Sequence, residues 1–157
     1  MNQHANSRDL LKRIAADGTM RKLHPLIIAF LKDYLEGEKV VVHGEKLVIN
    51  TQFPPWPGRA FDRIINQLTT ETLHRRLYSI TIAVTNRCPM HCWHCYNAGR
   101  SQDDIPLARL KELAKEVQEL GATVITLTGG EPLLRKDLES ICAAFDDRSA
   151  LVLGTSG

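Results

Sequence analysis

Three cysteines, Cys88, Cys92 and Cys95, lie within a single short stretch of the chain. They follow a strand-like apolar run at residues 80–84, so a loop at the exit of that strand could turn all three thiols inward around one compact metal centre. Iron–sulfur clusters are held by such thiolates, usually four of them. With three thiolates and no further ligand, one iron of a four-iron cluster would keep an open coordination position, where chemistry can take place.

Zinc is the main alternative metal for these thiols. Cys92 and Cys95 form a Cys-x2-Cys pair. His91 or His94 could complete a set of three cysteines and one histidine. Zinc modules normally take their ligands as two separated pairs, however, and the remaining cysteine, Cys142, stands alone in a helical pattern. This spacing favours iron and sulfur over zinc.

A disulfide framework is a weaker alternative still. The chain has four cysteines in 157 residues, and three of them are too crowded for independent bridges. Its first residues show no apolar secretory segment. Reduced thiols in a cytoplasmic protein are therefore expected.

A second motif, Gly129-Gly130-Glu131-Pro132, also leaves a strand-like run, at residues 123–127. Two glycines let the backbone come close to a small ligand, and Glu131 adds a carboxylate beside them. Alone, this sequence is typical of an ordinary strand-to-helix turn. Because it lies one strand–helix unit after the cysteine loop, the two motifs together form a specific signal.

The two motifs together resemble the beginning of a radical S-adenosylmethionine (radical SAM) domain, and the resemblance extends from about Tyr78 to Gly157. It implies that Cys88, Cys92 and Cys95 hold a [4Fe-4S] cluster. It also implies that the open iron is chelated by the amino and carboxylate groups of SAM. Both the cluster and SAM are thus expected cofactors.

The resemblance further implies which residues contact SAM. Gly129, Gly130 and Glu131 would meet the methionine amino group. His94, which precedes the last cysteine, would lie against the adenine, at a position that is often aromatic in the family. Ser156 would approach SAM from the end of a third strand. No residue is assigned as a catalytic acid, base or nucleophile.

The activity implied by the resemblance is reductive cleavage of SAM to methionine and a 5'-deoxyadenosyl radical, which abstracts hydrogen from a substrate. A flavodoxin or ferredoxin would supply the electron. The residue types in the cysteine motif are similar to those in the radical SAM branch that modifies peptides or matures cofactors. That branch often carries a SPASM-type region. A peptide or small-molecule substrate is therefore expected. The alternative is a truncated, non-catalytic module that binds an iron–sulfur cluster or zinc.

Strand and helix patterns alternate after Tyr78. The predicted strands are 80–84, 123–127 and 150–153, and helices are predicted between them. The first of these helices should be capped by Asp103 or Asp104, with Pro106 in its first turn; the second should run through Phe145. This alternation predicts a parallel α/β sheet, curved as a partial TIM-like (β/α) barrel that stops after its third strand. Ligands collect at the carboxyl ends of such strands.

The preceding residues, 1–57, are expected to form an N-terminal extension, and residues 58–157 the first part of the barrel. Residues 1–8 are polar and should be loose. One helix should end near Gly18, and another should begin at Pro25. Runs at 40–42 and 47–49 predict a β-hairpin with His43 in its turn, followed by a proline-rich linker.

Composition sets broad limits on function. The formal net charge is +2, and no long basic block is present, so a nucleic-acid partner is not expected. The longest apolar run, residues 26–31, is far too short to span a bilayer.

Overall fold

The structure is a computed structural model that describes residues 4–69, 76–99 and 103–157. The chain forms two compact units, Met1–Arg76 and Leu77–Gly157. Their boundary therefore falls later in the chain than the one predicted after residue 57. Residues 1–3, for which a loose conformation is predicted, lie outside the described residues.

In its described residues, the first unit combines a small antiparallel sheet with three α-helices and a short 3-10 helix at Thr19–Lys22. Its strands are β1 (His4–Asn6), β2 (Lys39–His43) and β3 (Lys46–Val48), and β2 lies between the other two. Its helices are α1 (Ser7–Ala16), α2 (Pro25–Leu35) and α3 (Arg59–Thr69). One apolar cluster fills the interior, formed by Leu10, Ile14, Met20, Leu23, Leu31, Val40, Leu47, Phe61 and Ile65.

The predicted hairpin and the helix that begins at Pro25 are both confirmed. Two expectations are wrong in detail. His43 is the last residue of β2 and pairs with Lys46, because the turn needs only the two residues between them, where Gly44 has a φ of +60°. The segment His4–Asn6 is not loose, since its backbone pairs with β2.

The second unit is built on a parallel sheet with the order β4-β5-β6. The strands are β4 (Ser79–Thr85), β5 (Val124–Gly129) and β6 (Ala150–Leu153). Along the register, Ile80 lies beside Ile125, which in turn lies beside Leu151. All three predicted strands are confirmed, and their carboxyl ends share one edge of the sheet.

Two helices accompany this sheet, α4 (Leu107–Glu119) and α5 (Leu138–Cys142). Leu110, Val117 and Ile141 belong to the same apolar cluster as the strand residues Ile82, Val84, Ile125 and Leu127 and as Ala122, which precedes β5. The helical spacing of apolar residues predicts the buried residues Leu110, Ala114 and Val117 correctly. It is wrong for Leu120, the last residue of the predicted apolar stripe, which is 63% exposed at the end of the helix.

The predicted start of α4 and end of α5 need correction. Pro106 is the N-cap of α4 and precedes its first turn, and no side chain caps the helix. The carboxylate of Asp104 is instead hydrogen-bonded to Thr85 and Arg87. Helix α5 ends at Cys142, before Phe145, although Phe145 still packs against the core.

The second unit is therefore an α/β fold, as predicted, and its parallel sheet is consistent with the partial barrel expected from the sequence. Its three strands form an open sheet within the described residues. None of the helices in the described part of the chain has the length and apolar character needed to cross a bilayer.

Candidate functional site

The cysteine loop leaves β4 after Thr85 and folds into consecutive turns. The Cys95 amide donates a hydrogen bond to the Cys92 carbonyl at 3.1 Å, and the Ala98 amide donates to the Cys95 carbonyl at 3.3 Å. The Met90 amide lies 3.4 Å from the Cys88 sulfur and donates to it. All three cysteines are exposed and reduced, so the thiols are accessible to metal and to small molecules.

These cysteines line a single depression of about 330 Å³. This volume falls within the range of about 300–1,000 Å³ that is usual for small-molecule and cofactor sites. The depression also includes Gly130 from the turn after β5, so both sequence motifs contribute to one surface. Its remaining lining residues are Asn86, Met90, His91, Asn97, Ala98 and Gly99.

The donor set suits an iron–sulfur cluster. Three thiols share one concave wall, and thiolates are the ligands that hold such clusters. Among the described residues, no group of three His, Cys, Asp or Glu side chains is arranged to hold a single metal ion. A four-iron cluster does not require that convergence, because each cysteine binds a different iron.

The glycine motif contacts the residues that lead into the cysteine loop, Thr85 to Arg87, which form the entry stem of the loop. The Gly130 amide donates to the Thr85 carbonyl at 2.7 Å, and the Glu131 amide donates to the Arg87 carbonyl at 2.8 Å. A Cβ at Gly129 would lie 2.0 Å from the Thr85 carbonyl oxygen, and one at Gly130 would lie 2.2 Å from that of Arg87. These positions therefore accept only glycine, because backbone occupies the space of a side chain.

Gly129 has a second reason to be glycine. Its φ is +138°, a conformation that residues with a Cβ rarely adopt. Its carbonyl accepts a hydrogen bond from the hydroxyl of Tyr96 at 3.3 Å. Since Tyr96 follows Cys95 directly, the glycine turn contacts both ends of the cysteine motif.

Glu131 connects the turn after β5 to the segment after β6. Its carboxylate accepts hydrogen bonds from the hydroxyls of Thr155 and Ser156, both at 2.7 Å, and from the Ser156 amide at 2.9 Å. The Leu133 amide donates to it as well, at 3.0 Å. These four bonds match the acceptor capacity of a carboxylate.

The same hydrogen bonds lower the pKa of Glu131 from 4.5 to about 2, with the Ser156 hydroxyl contributing most. The residue is only 6% exposed, so water does not replace these donors easily. Glu131 is thus an ionised brace between two adjacent strand ends. It holds Ser156, a predicted SAM contact, in a fixed position.

A buried arginine joins the two stems of the cysteine loop. Arg135 follows the glycine motif, and its side chain is 4% exposed. Its guanidinium donates to the carbonyl of Val84, on the entry side of the loop, and at 2.7 Å to the carbonyl of Ile105, on the exit side. Asp137 accepts two further hydrogen bonds from it, at 2.7 and 3.1 Å.

Asp104, on the exit side of the loop, also connects the two stems, because its hydrogen-bond partners lie on the entry side. It accepts a hydrogen bond from the Thr85 hydroxyl at 2.7 Å and one from the Arg87 guanidinium at 2.6 Å. Burial alone would raise the pKa of Asp104, but these bonds and the charges of Arg87 and Arg135 outweigh burial and lower it. The hydrogen bond from Arg135 likewise lowers the pKa of Asp137. Both carboxylates therefore stay ionised at neutral pH.

The predicted site residues occupy different surroundings. The three cysteines and Gly130 line the depression, whereas Gly129 and Glu131 support it through the contacts above. His94 is exposed and lies edge-on to the ring of Trp93, with 5.0 Å between ring centroids. Within the described residues, His94 and Ser156 are not part of the lining, and their SAM contacts remain predictions.

Three residues of the site were not predicted to belong to it from the sequence, although Asp104 was named as a possible helix cap. Arg135 and Asp104 organise the loop stems, and Asn97 is buried in the wall beside the cysteines. Arg135 follows the glycine motif closely, but the partners of its side chain are distant in sequence. Asn97 comes two residues after Cys95, and its burial depends on how the loop folds.

Comparison with known proteins points to one superfamily. Residues 82–153 match the family described as Radical SAM superfamily. This range contains both motifs, the whole of β5 and β6, and the second half of β4 from Ile82 onward. No solved structure matches the chain.

Several curated relatives have the same name. A "Probable GTP 3',8-cyclase" of Archaeoglobus fulgidus is 36% identical over 85 residues, which are 53% of this chain and 29% of that protein. Proteins of the same name from Methanocella arvoryzae and Methanopyrus kandleri are each 34% identical, covering 53% and 55% of this chain and 28% and 29% of their own lengths. The chain thus spans less than a third of these relatives.

Proposed function

We propose that the second unit is a radical SAM domain, the family that residues 82–153 match, and that Cys88, Cys92 and Cys95 hold the [4Fe-4S] cluster that this family uses together with SAM. SAM would bind at the iron without a cysteine ligand. One observation carries the proposal: three thiols from one loop line the same depression, at the carboxyl edge of the parallel sheet. When bound, the two cofactors together supply a 5'-deoxyadenosyl radical.

The residues of the chain position these cofactors. The glycine turn packs against the residues that enter the cysteine loop, so the proposed SAM-binding residues and the proposed metal ligands are held next to one another. Glu131 orients SAM, together with Ser156, whose hydroxyl and amide it holds. His94 would lie against the adenine, supported by Trp93.

For the substrate we infer a cofactor precursor, with GTP as the first compound to test. The support is the name that these relatives share, probable GTP 3',8-cyclase. Peptide modification and membership of the SPASM-type branch remain predictions from the motif. A flavodoxin or ferredoxin would supply the electron. The cytoplasm is the proposed compartment, since a reducing environment keeps three exposed thiols available.

Anaerobic reconstitution with iron and sulfide tests the proposed ligands. Cys88→Ala, Cys92→Ala and Cys95→Ala should each lose the brown absorbance of the cluster and most of the bound iron. Cys142→Ala is a matched control, because this thiol packs against the core of the second unit, where burial raises its pKa. It should retain the cluster.

Two results would count against this proposal. Undiminished absorbance in all three loop variants would remove the cysteines as ligands. Bound zinc and a colourless protein after reconstitution would favour the metal-binding module over the enzyme.

A further inference from the structure

Among the described residues, Trp93 has the most exposed of the large apolar side chains. It lies between Cys92 and His94, and 94% of its surface is accessible. Its ring meets His94 edge-on and is not part of the lining of the depression that the three cysteines share. Tryptophan is highly buried on average and is enriched at the centres of protein interfaces. An exposed Trp93 directly beside a proposed metal ligand therefore indicates contact with another protein, on the outer side of the cysteine loop.

The loop that presents Trp93 carries positive charge and no carboxylate. Residues 86–100 contain Arg87 and Arg100 and neither Asp nor Glu. Arg87 is paired with Asp104, which lies beyond this segment, but 45% of the Arg87 side chain remains exposed. Because complementary charges steer two proteins toward each other, this loop favours a partner with an acidic surface.

We propose that Trp93 anchors a small acidic electron carrier on the outer side of the cysteine loop. This inference rests on the proposed function, which requires an electron from outside, and it names the surface that receives the carrier. Contacts of electron carriers are small and weak, below about 1,200 Å² in total, so one aromatic anchor is a large part of such a contact.

The position of Trp93 suits this transfer. Because Trp93 follows Cys92 directly, a carrier packed on its ring lies next to the proposed metal ligands. The reduced carrier gives one electron to the cluster and is itself oxidised, and the charge of the cluster changes from 2+ to 1+. No bond forms or breaks, and no proton moves.

The first test is calorimetric titration of an oxidised, acidic [2Fe-2S] ferredoxin into the cluster-loaded full chain. Trp93→Ala removes the anchor and should weaken binding about tenfold or more, the loss typical of a residue that dominates an interface. Leu120→Ala is a matched control at another exposed apolar residue. Leu120 lies at the opposite edge of the sheet, where its carbonyl accepts a hydrogen bond from the Leu77 amide before β4 begins, so this variant should keep the wild-type affinity. Added salt should weaken binding by the wild type.

The rate of cluster reduction separates docking from effects on the cluster itself. Stopped-flow absorbance follows electron transfer from reduced ferredoxin or from dithionite, a small reductant that needs no docking surface. At limiting ferredoxin, Trp93→Ala should be reduced about tenfold more slowly than the wild type, because less carrier is bound. Dithionite should reduce both proteins at the same rate. No SAM is added, so the contact between Trp93 and His94 does not affect a SAM-dependent step in this comparison.

The outcomes distinguish this inference from the function on which it depends. If ferredoxin binds and reduces Trp93→Ala as well as it does the wild type, the docking role is overturned and the proposed function stands. Slower reduction of Trp93→Ala by both reductants would also overturn that role, because Trp93 would then act on the cluster. If Trp93→Ala loses its iron, Trp93→Glu decides: its carboxylate repels an acidic carrier, and an affinity equal to that of the wild type would overturn the inference. A wild type that holds the cluster without binding ferredoxin would overturn the inference alone, and a wild type that holds no cluster would overturn both.

Discussion

Replacement of Arg135 by methionine should weaken the second unit severely. The substitution keeps an unbranched apolar stem and removes every donor, which leaves the carbonyls of Val84 and Ile105 and the carboxylate of Asp137 without their partner. Removing one member of a buried, hydrogen-bonded ion pair costs about 3–5 kcal/mol. Asp137 is 34% exposed, and water can reach it, so the lower end of that range, about 3 kcal/mol, applies.

Arg148 provides a matched control. It also pairs with a carboxylate two residues away, Asp146, at 2.9 Å, but its side chain is 36% exposed and that of its partner 50%. Exposed pairs of this kind contribute about 0–1 kcal/mol. Arg148→Met should therefore have a small effect, although the local sequence relation is the same.

Hydrogen exchange measured by mass spectrometry reports this difference on the full chain. A loss of about 3 kcal/mol should speed exchange of the β4 amides about a hundredfold in Arg135→Met, if these amides exchange by opening of the unit. Arg148→Met should change the same rate by less than about fivefold. Equal, small changes in the two variants would show that the Arg135 network does not stabilise the loop stems.

Two further predictions concern the strand ends. Gly130→Ala places a Cβ 2.2 Å from the Arg87 carbonyl oxygen, so the glycine turn should move away from the residues that enter the cysteine loop. Less iron should therefore be bound after reconstitution. Gly154→Ala should keep its iron, because its Cβ would come no nearer than 3.3 Å to the Thr128 side chain and 3.7 Å to the Leu127 carbonyl oxygen. Equal iron in both variants would contradict this packing argument. Because the pKa of Glu131 is lowered from 4.5 to about 2, its stabilising effect is present above pH 4.5 and is lost as the pH falls toward 2. The melting temperature of the wild type should thus fall more steeply across that interval than that of Glu131→Gln, and parallel curves would contradict the bracing role.

The features that sequence predicts well are local ones. The three parallel strands follow from short apolar runs, and β6 begins and ends at the predicted residues, Ala150 and Leu153. The buried face of α4 follows from its helical spacing. The cysteine spacing predicts that one loop carries all three thiols, and the structure places them on one wall.

The features that sequence misses depend on contacts between distant segments. Asp104 has the residue type of a helix cap, yet Thr85 and Arg87, 19 and 17 residues away, provide its partners. The guanidinium of Arg135 reaches Val84, 51 residues earlier. A local pattern contains no information on such pairs, because the partners come together only when the sheet forms.

The sequence locates the glycine motif correctly but gives only part of the reason why glycine is needed there. Two glycines after a strand predict close approach of a ligand to the backbone. In the structure, the space beside Gly129 and Gly130 is already filled by the backbone of Thr85 and Arg87. The first requirement for glycine is thus the packing of the cysteine loop against the sheet, which must hold before any cofactor binds.

Electron paramagnetic resonance of the reconstituted, reduced chain, recorded with and without SAM, tests the central claim most directly. The account predicts a [4Fe-4S] signal that changes shape when SAM is added, because SAM binds the iron that the three cysteines leave open. A cluster signal that is identical with and without SAM would contradict it.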